Sequence, residues 1–389
     1  SGTRLPLVKI KPAEVDAQIK KIKQKSQIPI LIGTTALNNT LGKAIRLEGD
    51  NPASFIVRVD EDTVRIAGLS PEGTLFGVYE LLEQLGCRWF VPTDFGTVIP
   101  KNKTVSITIQ QTVQKPSFEG RCLQGVMEQC RDDKYKWYRR MRLNGGGVPG
   151  AHHIYIGDAN FKDNPALFAL VDGKRVDKQL CISNSEVLSR AIEQTKQFFR
   201  QNPDVDMMGM GPNDCHGFCE CENCRALDGG DWDPFTNMVS VTDRYVWFFN
   251  KVLEGISNEY PEKYLSFYAY DAYIRTPVKV KPDPRIIPAF APLRLCSIHG
   301  MSNPVCPERY HYRQLIAQWS KLVPRFFERG YYLNSSGFPL SFVAKIRDEM
   351  PLLKKIGCPR IRRETSPHWG SMTPSIYIAA KLLWDANSD

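Results

Sequence analysis

Short apolar runs alternate with amphipathic segments along most of the chain after Phe118. In the segment that carries Tyr245, Phe248 and Val252, the apolar residues recur every three or four positions, which is the spacing of a helix with one buried face. This alternation of strand and helix signals indicates repeated βα units around a parallel sheet. The strands that we predict are Phe118–Leu123, Val148–Tyr155, Gln179–Ile182, Val205–Met210, Leu265–Tyr270, Leu293–Ile298, Tyr331–Asn334 and Arg360–Arg363.

Eight such units in about 270 residues match the size of a TIM barrel. We therefore predict an α/β fold with a (β/α)8 barrel over residues 115–389. A doubly wound open sheet is the alternative. The barrel is favoured because no glycine-rich phosphate loop follows any predicted strand and the GxGxxG pattern is absent from the sequence.

The pattern before residue 115 is different. Ser54–Val59 and Val64–Ala67 alternate apolar and polar residues on either side of an acidic turn, as in a β-hairpin. Ser70 and Pro71 then supply the cap and the first turn of a helix that ends at Gly86. These signals predict a small α+β domain over residues 1–114.

The composition indicates a well-packed globular protein, because 42% of the 389 residues are hydrophobic and 11% are aromatic. The formal net charge of +9 comes from 51 basic and 42 acidic residues spread along the whole chain, so we expect a solvated surface and no nucleic-acid partner. No apolar run reaches the length of about 18 residues that a membrane-spanning helix needs. The sequence does not indicate an oligomeric state.

The start of the chain, Ser1-Gly2-Thr3, has no initiator Met and is typical of a trimmed N-terminus, so any signal peptide would lie outside this sequence. The 11 cysteines fit either an exported protein with disulfides or a cytosolic protein with a metal site. Because their number is odd, at least one thiol is unpaired within a single chain. We predict an exported protein, periplasmic or extracellular.

Polar and aromatic side chains are unusually frequent just after the predicted strands. In a barrel these positions line the active face. Carboxylates and amides that converge there with aromatic rings suit a hydroxyl-rich ligand, so we predict a carbohydrate substrate. The candidate catalytic residues are Asp214, Glu364, Asp271 and Glu128, and the candidate substrate-binding residues are His152, His153, Asn213, Tyr270, Tyr273, His299 and Trp369.

Each candidate also has a purely structural interpretation. A single carboxylate is more often a helix cap or an ion-pair partner than a catalyst, and Asp214 stands out because it follows the apolar run Val205–Met210 and a Gly-Pro break. The aromatic candidates fit a core as well as a sugar-binding surface. The adjacent histidines have no Cys or carboxylate at ligand spacing, which disfavours metal catalysis, and no GxSxG motif supports a serine triad.

Four cysteines, Cys215, Cys219, Cys221 and Cys224, occur within ten residues beside Asp214. Neither a helix nor a strand explains that density, so the cysteines are expected to fix the loop. A structural zinc ion and a pair of local disulfides both remain open, because this cluster is more compressed than the paired C-x2-C knuckles of ordinary zinc sites. No cofactor is expected to be required for catalysis.

Several segments resemble known families. The stretch from Val64 to Pro92 is similar to the small α+β domain that precedes the catalytic barrel in β-hexosaminidases and α-glucuronidases. The remainder resembles a bacterial family catalogued as a domain of unknown function, with members assigned to glycoside hydrolase family 163, endo-acting β-N-acetylglucosaminidases that cut N-glycans. The segments that carry this resemblance are Phe118 to Arg121, Asp172-Gly-Lys-Arg, Gln179-Leu-Cys-Ile-Ser-Asn, Gly211-Pro-Asn-Asp, Cys219-x-Cys221-x2-Cys224 and Ala380-Lys-Leu-Leu-Trp-Asp.

The resemblance implies substrate-assisted, retaining hydrolysis of β-linked N-acetylglucosamine, in which the acetamido group of the sugar attacks its own anomeric carbon. It assigns Asp214 to the acid or the amide-orienting role, with Glu364, Asp271 and Glu128 as its possible partners in that order. Arg121 would bind sugar hydroxyls. Relatives continue past the last motif into a further helical region, so we expect that a wall of the site is missing from a chain that ends at Asp389.

Two other functions stay open. One is a non-catalytic carbohydrate-binding barrel, which would keep the aromatic and amide groups and tolerate loss of the acids. The other is a hydrolase or lyase that acts on anionic polysaccharide and uses the positive net charge.

Overall fold

The computed structural model describes residues 5–47, 49–125, 131–146, 149–333, 339–366 and 369–388. The chain divides into two compact units. The first comprises Ser1–Gly145, Ser336–Ile346 and Pro367–Asp389, and the second comprises Gly146–Ser335 and Arg347–Ser366. Within the described residues, no helix is both long and apolar enough to span a bilayer.

The described residues form ten α-helices and sixteen strands. The helices are α1 (Val15–Lys23), α2 (Asn39–Leu47), α3 (Pro71–Gln84), α4 (Arg131–Arg140), α5 (Ser185–Gln201), α6 (Glu222–Ala226), α7 (Thr242–Ile256), α8 (Pro307–Trp319), α9 (Val343–Lys355) and α10 (Trp369–Trp384). The strands are β1 (Ile30–Ile32), β2 (Phe55–Asp60), β3 (Thr63–Gly68), β4 (Arg88–Trp89), β5 (Thr97–Val98), β6 (Gln110–Gln114), β7 (Gly120–Gln124), β8 (Phe168–Val171), β9 (Lys174–Leu180), β10 (Met207–Gly209), β11 (Trp232–Asp233), β12 (Met238–Val239), β13 (Tyr264–Ala269), β14 (Ile286–Phe290), β15 (Phe327–Tyr332) and β16 (Arg360–Thr365).

The first unit contains a four-stranded sheet in the order β1-β3-β2-β6, in which β1 is parallel to β3 and the other pairs are antiparallel. The predicted hairpin is confirmed as β2 and β3. The predicted cap is also confirmed, because Ser70 Oγ accepts a hydrogen bond from Gly73 N at 3.1 Å, at the start of α3. Phe55, Ile66 and Phe76 lie in one of the buried hydrophobic clusters of this unit.

Helix α10, near the end of the sequence, belongs to the first unit. Its Trp384 stacks on Phe55 with ring centroids 5.7 Å apart, and it meets Phe76 edge-on at 5.5 Å. Trp384 Nε1 donates a hydrogen bond to Gln114 Oε1 at 2.7 Å. The predicted domain boundary lies at residue 114, whereas the first compact unit runs to Gly145 and includes the last helix.

The second unit contains a curled sheet of parallel strands in the order β10-β13-β14-β15-β16. Parallel pairing places Leu265 beside Ile286 and Tyr331 beside Glu364. One face of the sheet carries an apolar cluster that includes Tyr268. The mixed α/β class is confirmed. These strands form half of a barrel, so the complete (β/α)8 barrel that the sequence predicts is not confirmed.

Five of the eight predicted strands correspond to β7, β10, β13, β15 and β16, with ends shifted by a few residues. The predicted strand Leu293–Ile298 is wrong, because the parallel strand of this region, β14, ends three residues before it at Phe290. Pro288 lies inside β14, and in the sequence alone a proline argues against a central strand at that position. The pairing of β14 with β15 begins only at Ala289, so the missing N–H of Pro288 does not interrupt that ladder.

The predicted strand Gln179–Ile182 overlaps β9, which is part of an antiparallel hairpin with β8 and not a barrel strand. Asp172 and Gly173 connect the two strands and both have positive φ, 49° and 75°, as a type I′ turn requires. The predicted strand Val148–Tyr155 is not a regular strand over its described residues, 149–155. This segment still lies against the chain that leaves β10, because Gly211 N donates to His153 O at 3.1 Å.

Four buried charged side chains join the parallel sheet to α8 and α9. Arg363 of β16 pairs with Glu328 of β15 and lies 3.5 Å from Glu349 of α9, which also pairs with Arg309 of α8. All four are nearly inaccessible to solvent. Two positive and two negative charges balance, so the network fixes the sheet relative to these helices without a net buried charge.

Candidate functional site

Close backbone contact determines where the loop after β10 begins. A Cβ atom on Gly209, the last residue of β10, would lie 2.8 Å from the carbonyl carbon of Gly150, and a Cβ on Gly150 would lie 2.4 Å from the ring of Tyr268. Glycine at both positions therefore lets the 149–151 segment lie between the strand and Tyr268. Directly after this contact, the Gly-Pro break redirects the chain into Asn213 and Asp214.

Gln179 fixes the position of that loop. Its Nε2 donates hydrogen bonds to the carbonyl oxygens of Asn213 (2.8 Å) and Cys215 (2.6 Å), and its Oε1 accepts one from Asn213 N (3.0 Å). The side-chain Nδ2 of Asn213 donates to the carbonyl oxygen of Lys178. Asn213, which the sequence assigns to substrate binding, therefore holds the loop that presents Asp214.

Asp214 is well exposed, with 63% of its side chain accessible, and it faces a histidine. His152 Nδ1 lies 4.0 Å from Asp214 Oδ1. The His152 ring packs against Tyr268 and Tyr270, with centroids 4.8 and 5.5 Å away. Burial lowers the pKa of His152 below its ordinary value of 6.5, and the charge of Asp214 opposes that shift. A neutral imidazole is therefore the main form beside Asp214 at neutral pH.

Asp271 follows β13 and is largely buried, with 9% of its side chain accessible. Arg294 Nε lies 2.5 Å from its Oδ1, and His216 Nε2 lies 3.7 Å from its Oδ2. The φ angle of Asp271 is 47°, in the left-handed region that few residues other than glycine adopt. Backbone strain of this kind concentrates at functional sites, where the surrounding structure has to hold it.

Glu364 of β16 pairs with Arg329 of β15 and retains 34% of its side-chain exposure. The guanidinium of Arg329 lies 5.0 Å from the ring centroids of both Tyr268 and Tyr331, and it donates a hydrogen bond to Tyr331 Oη at 2.5 Å. Arg329 therefore joins the carboxylate on one strand to the tyrosines beside it. Burial raises the pKa of Tyr331, so its hydroxyl keeps its proton at neutral pH.

Tyr270 is half-buried, as a surface for stacking a sugar ring requires. Burial raises its pKa, and Asp214 and Asp271 raise it further. Its hydroxyl is therefore available as a hydrogen-bond donor. The ring centroid of Tyr273 lies 6.1 Å from that of Tyr270, and Tyr273 is almost fully buried. Tyr273 therefore packs in the core and supports Tyr270. The sequence predicts a sugar contact for Tyr273, but its ring has little accessible surface for one.

The remaining predicted site residues have no contact with the three carboxylates among the described interactions. Arg121 belongs to the first unit and is 1% exposed, and its guanidinium donates to the carbonyl oxygens of Phe118 and Arg142. These contacts hold the local backbone, and the assignment of Arg121 to sugar hydroxyls stays a prediction. His153 is exposed and lies edge-on to Tyr155. His299 Nδ1 lies 3.3 Å from Cys296 Sγ. Glu128 and the side chain of Trp369 lie outside the described residues.

The predicted cysteine cluster needs one correction. The sulfur atoms of Cys219, Cys221 and Cys224 lie together with that of Cys181, all within 4.8 Å of one another. Cys215 is exposed instead, and its Sγ is directed at the carbonyl oxygen of Lys178 at 3.7 Å. Cys181 follows β9, more than thirty positions before the others, so sequence density alone could not find it. A second group, Cys296, His299 and Cys306, also has its ligand atoms within 4.8 Å.

Five residues that surround the three described carboxylates were not predicted from the sequence. Candidates were sought only beyond the strand ends, whereas Tyr268, Arg329 and Tyr331 lie within strands, and alternate residues of Phe327–Tyr332 share a face. Arg294 lies in the segment that was wrongly predicted as the sixth strand, and His216 follows Asp214 by two positions. These residues are Tyr268, Arg329, Tyr331, Arg294 and His216.

Together these groups can protonate, orient and bind a polar ligand. Asp214 is exposed and faces a neutral histidine, whereas Glu364 and Asp271 each have an arginine partner. Tyrosine hydroxyls supply hydrogen-bond donors beside them. Carboxylates in these different environments can divide acid–base work from charge stabilisation.

A sequence comparison decides the family. The model of the domain of unknown function DUF4838 matches residues 91–389. The chain belongs to the DUF4838 family. No curated protein matches this DUF4838 chain in sequence.

The DUF4838 chain is similar in fold to solved glycoside hydrolases. They include the family GH115 4-O-methyl-α-glucuronidase BtGH115A, with specificity for decorated arabinogalactans (TM-score 0.50, 12% identity, 97% of this chain and 55% of that one). A β-N-acetylhexosaminidase from Bacteroides fragilis has a TM-score of 0.50 and 10% identity over 98% of this chain and 86% of that one. CpGH89 from Clostridium perfringens, in complex with its substrate GlcNAc-α-1,4-galactose, has a TM-score of 0.52 and 12% identity over 97% of this chain and 49% of that one. The DUF4838 chain thus spans about half the length of two of these proteins, and the likeness concerns the fold.

Proposed function

We propose that the protein is a glycoside hydrolase and that Asp214 is its general acid and base. The observation that carries this proposal is the set of three carboxylates, Asp214, Asp271 and Glu364, held with Tyr270 and Arg329 in one unit of a glycoside-hydrolase-like fold. Asp214 is the most exposed of the three, and it faces a histidine that burial keeps largely neutral. It can therefore exchange a proton with a bound sugar.

The proposed substrate carries β-linked N-acetylglucosamine. Glu364, which is partly exposed, accepts a hydrogen bond from the acetamido N–H and orients that group. The acetamido oxygen then attacks the anomeric carbon, while Asp214 gives its proton to the leaving glycosidic oxygen and the C–O bond breaks. Water next attacks the anomeric carbon of the oxazolinium ion, and the bond between that carbon and the acetamido oxygen breaks. The proton of the water passes to Asp214, which restores the acid and leaves a sugar of retained configuration.

The ion pairs support this division of roles. A carboxylate that an arginine neutralises is a weaker nucleophile, yet its free lone pairs still accept hydrogen bonds. Glu364 and Asp271 both have such partners, which favours the acetamido group as the nucleophile. Two of the three similar structures carry names that contain an N-acetylated sugar, which agrees with this substrate class.

A mass-spectrometric screen of released glycans tests the proposal. The protein should liberate products from glycans that contain β-linked N-acetylglucosamine, and Asp214→Asn should lower turnover by about 10²-fold or more with binding retained. Asp158→Asn is the matched control, because that side chain is 99% exposed and pairs with Arg190. Binding without hydrolysis of any glycan would show a carbohydrate-binding protein instead.

Inhibitors test the nucleophile. A thiazoline analogue of N-acetylglucosamine should inhibit far more strongly than the free sugar, because it resembles the cyclic intermediate. A 2-fluoro sugar should leave no covalent adduct. A stable glycosyl-enzyme on Asp271 or Glu364 would reject the substrate-assisted mechanism and keep only the hydrolase.

Hydrolysis of uronic acid glycosides is a second candidate, which Arg294 favours. Its side chain is 46% exposed even though it pairs with Asp271, and its Nη2 lies 3.2 Å from His216 Nε2. An exposed arginine beside a histidine suits a sugar carboxylate. Activity on glucuronides that falls steeply with salt and with Arg294→Gln would select this function over the first.

A further inference from the structure

Four cysteines from two segments of the second unit place their sulfur atoms at one point. Cys181 follows strand β9, whereas Cys219, Cys221 and Cys224 come from the loop that begins after β10. Cys181, Cys219 and Cys224 are buried, and Cys221 is partly exposed. The ten described cysteines are all free thiols. Sulfur atoms from separate segments rarely meet in this number unless they bind something together.

The spacing of the sulfur atoms matches a tetrahedral metal site. Zinc–thiolate bonds of about 2.3 Å in a tetrahedron place neighbouring sulfur atoms about 3.8 Å apart. Cys181 Sγ lies 3.7 Å from Cys221 Sγ and 3.9 Å from Cys224 Sγ. A disulfide requires about 2.05 Å between the two sulfur atoms.

The surroundings of the sulfur atoms also fit thiolates bound to a metal. Leu170 N is 3.3 Å from Cys219 Sγ and donates to it, and Arg175 approaches the same sulfur at 4.0 Å. Ser183 Oγ lies 3.1 Å from Cys224 Sγ. Donors of this kind, directed at ligating sulfur, orient the ligands and balance their charge.

We propose that Cys181, Cys219, Cys221 and Cys224 bind one structural zinc ion as four thiolates. Sulfur ligands in a closed tetrahedron select zinc over magnesium or calcium, which take oxygen ligands. Binding releases the thiol protons to solvent and involves no change in oxidation state. The site has no open position for water or substrate, so the ion supports structure and not the chemical step.

The ion would fix the loop that carries two side chains of the candidate active site. Asp214 lies within the segment 213–215 that Gln179 holds, and His216 lies between that segment and the ligand Cys219. The loop is also held at Cys219 itself, because Arg244 donates a hydrogen bond to the Cys219 carbonyl oxygen at 2.7 Å and pairs with Asp228. This link to activity depends on the proposed function, whereas metal binding itself does not.

Elemental analysis of the purified full chain tests the site. The protein should contain zinc, and Cys181→Ser should lower the zinc content by one ion per chain. Cys215→Ser is the matched control and should leave it unchanged, because Cys215 Sγ lies away from the cluster. Iron in place of zinc, or equal zinc in the wild type and Cys181→Ser, would overturn the proposal.

A thiol count keeps the test decisive if the Cys181 variant does not fold. Denatured without reductant and with chelator, the wild type should show the same number of reactive thiols as the reduced protein. A deficit of four thiols would show two disulfides at this place and reject the metal. Neither readout requires activity, so a protein that hydrolyses no glycan can still confirm the zinc site.

Discussion

His152 shows how one side chain couples the candidate site to pH. Its pKa is lowered chiefly by burial, so between that pKa and 6.5 the unfolded chain binds more protons than the folded one. The stability that the neutral His152 contributes is therefore present above pH 6.5 and is lost as the pH falls through the folded pKa. Activity that needs a neutral imidazole beside Asp214 should decline over the same acidic range.

Replacement of His152 by Gln tests this coupling. The melting temperature of the variant should depend less on pH below 6.5 than that of the wild type, because a proton-binding difference has been removed. His153→Gln is the matched control, since that neighbouring side chain is exposed. Identical pH profiles for the wild type and His152→Gln would show that His152 is not held neutral by the fold.

At the scale of elements, the buried charge network determines how β15 and β16 pack on α8 and α9. Glu349 is central, because it contacts both Arg309 and Arg363. The opposite face of the same two strands carries Arg329 and Glu364 of the candidate site. A shift of these strands relative to the helices would therefore displace site residues as well.

Glu349→Ala should lower the free energy of unfolding by about 3–5 kcal/mol, because it leaves buried arginines without their full partners. Chemical denaturation followed by tryptophan fluorescence measures this effect. The control is Glu254→Ala, which removes an exposed ion pair with Lys251 and should cost less than about 1 kcal/mol. Equal effects of the two substitutions would contradict a structural role for the network.

At the scale of the whole molecule, residues from distant parts of the sequence pack together in one unit. Trp384 is 270 positions after Gln114, its hydrogen-bond partner, and it packs on Phe55 in the same unit. Arg121 and Arg142 also lie over its ring, at 5.2 and 5.5 Å. The last helix therefore completes the core of the first unit.

Trp384→Ala should destabilise the protein by about 3–5 kcal/mol, the usual cost of removing a buried aromatic ring. Phe95→Ala is the control, since that ring is 98% exposed, and it should change stability by less than about 0.5 kcal/mol. Scanning calorimetry would record the change as a lower temperature of the first unfolding transition. If Trp384→Ala melted like the wild type, α10 would not be part of that core.

Local signals in the sequence determined several features without help from tertiary contacts. The cap at Ser70, the hairpin of β2 and β3 and the approximate positions of β10, β13 and β16 all depend on residues near one another in the chain. The strand-end rule also selected Asp214, Asp271 and Glu364 as candidates, because the sites of α/β folds lie at the carboxyl ends of their strands.

Only the tertiary structure decided which distant residues meet. It brings Arg329 to Glu364, Arg294 to Asp271 and Cys181 to the three later cysteines, and it buries Arg121 in the other unit. Hydrophobic periodicity reports the face that a residue occupies, whereas contacts between faces depend on strand order, register and the path of connecting loops. For that reason the sequence could nominate the candidate carboxylates, whereas the fold determined their partners.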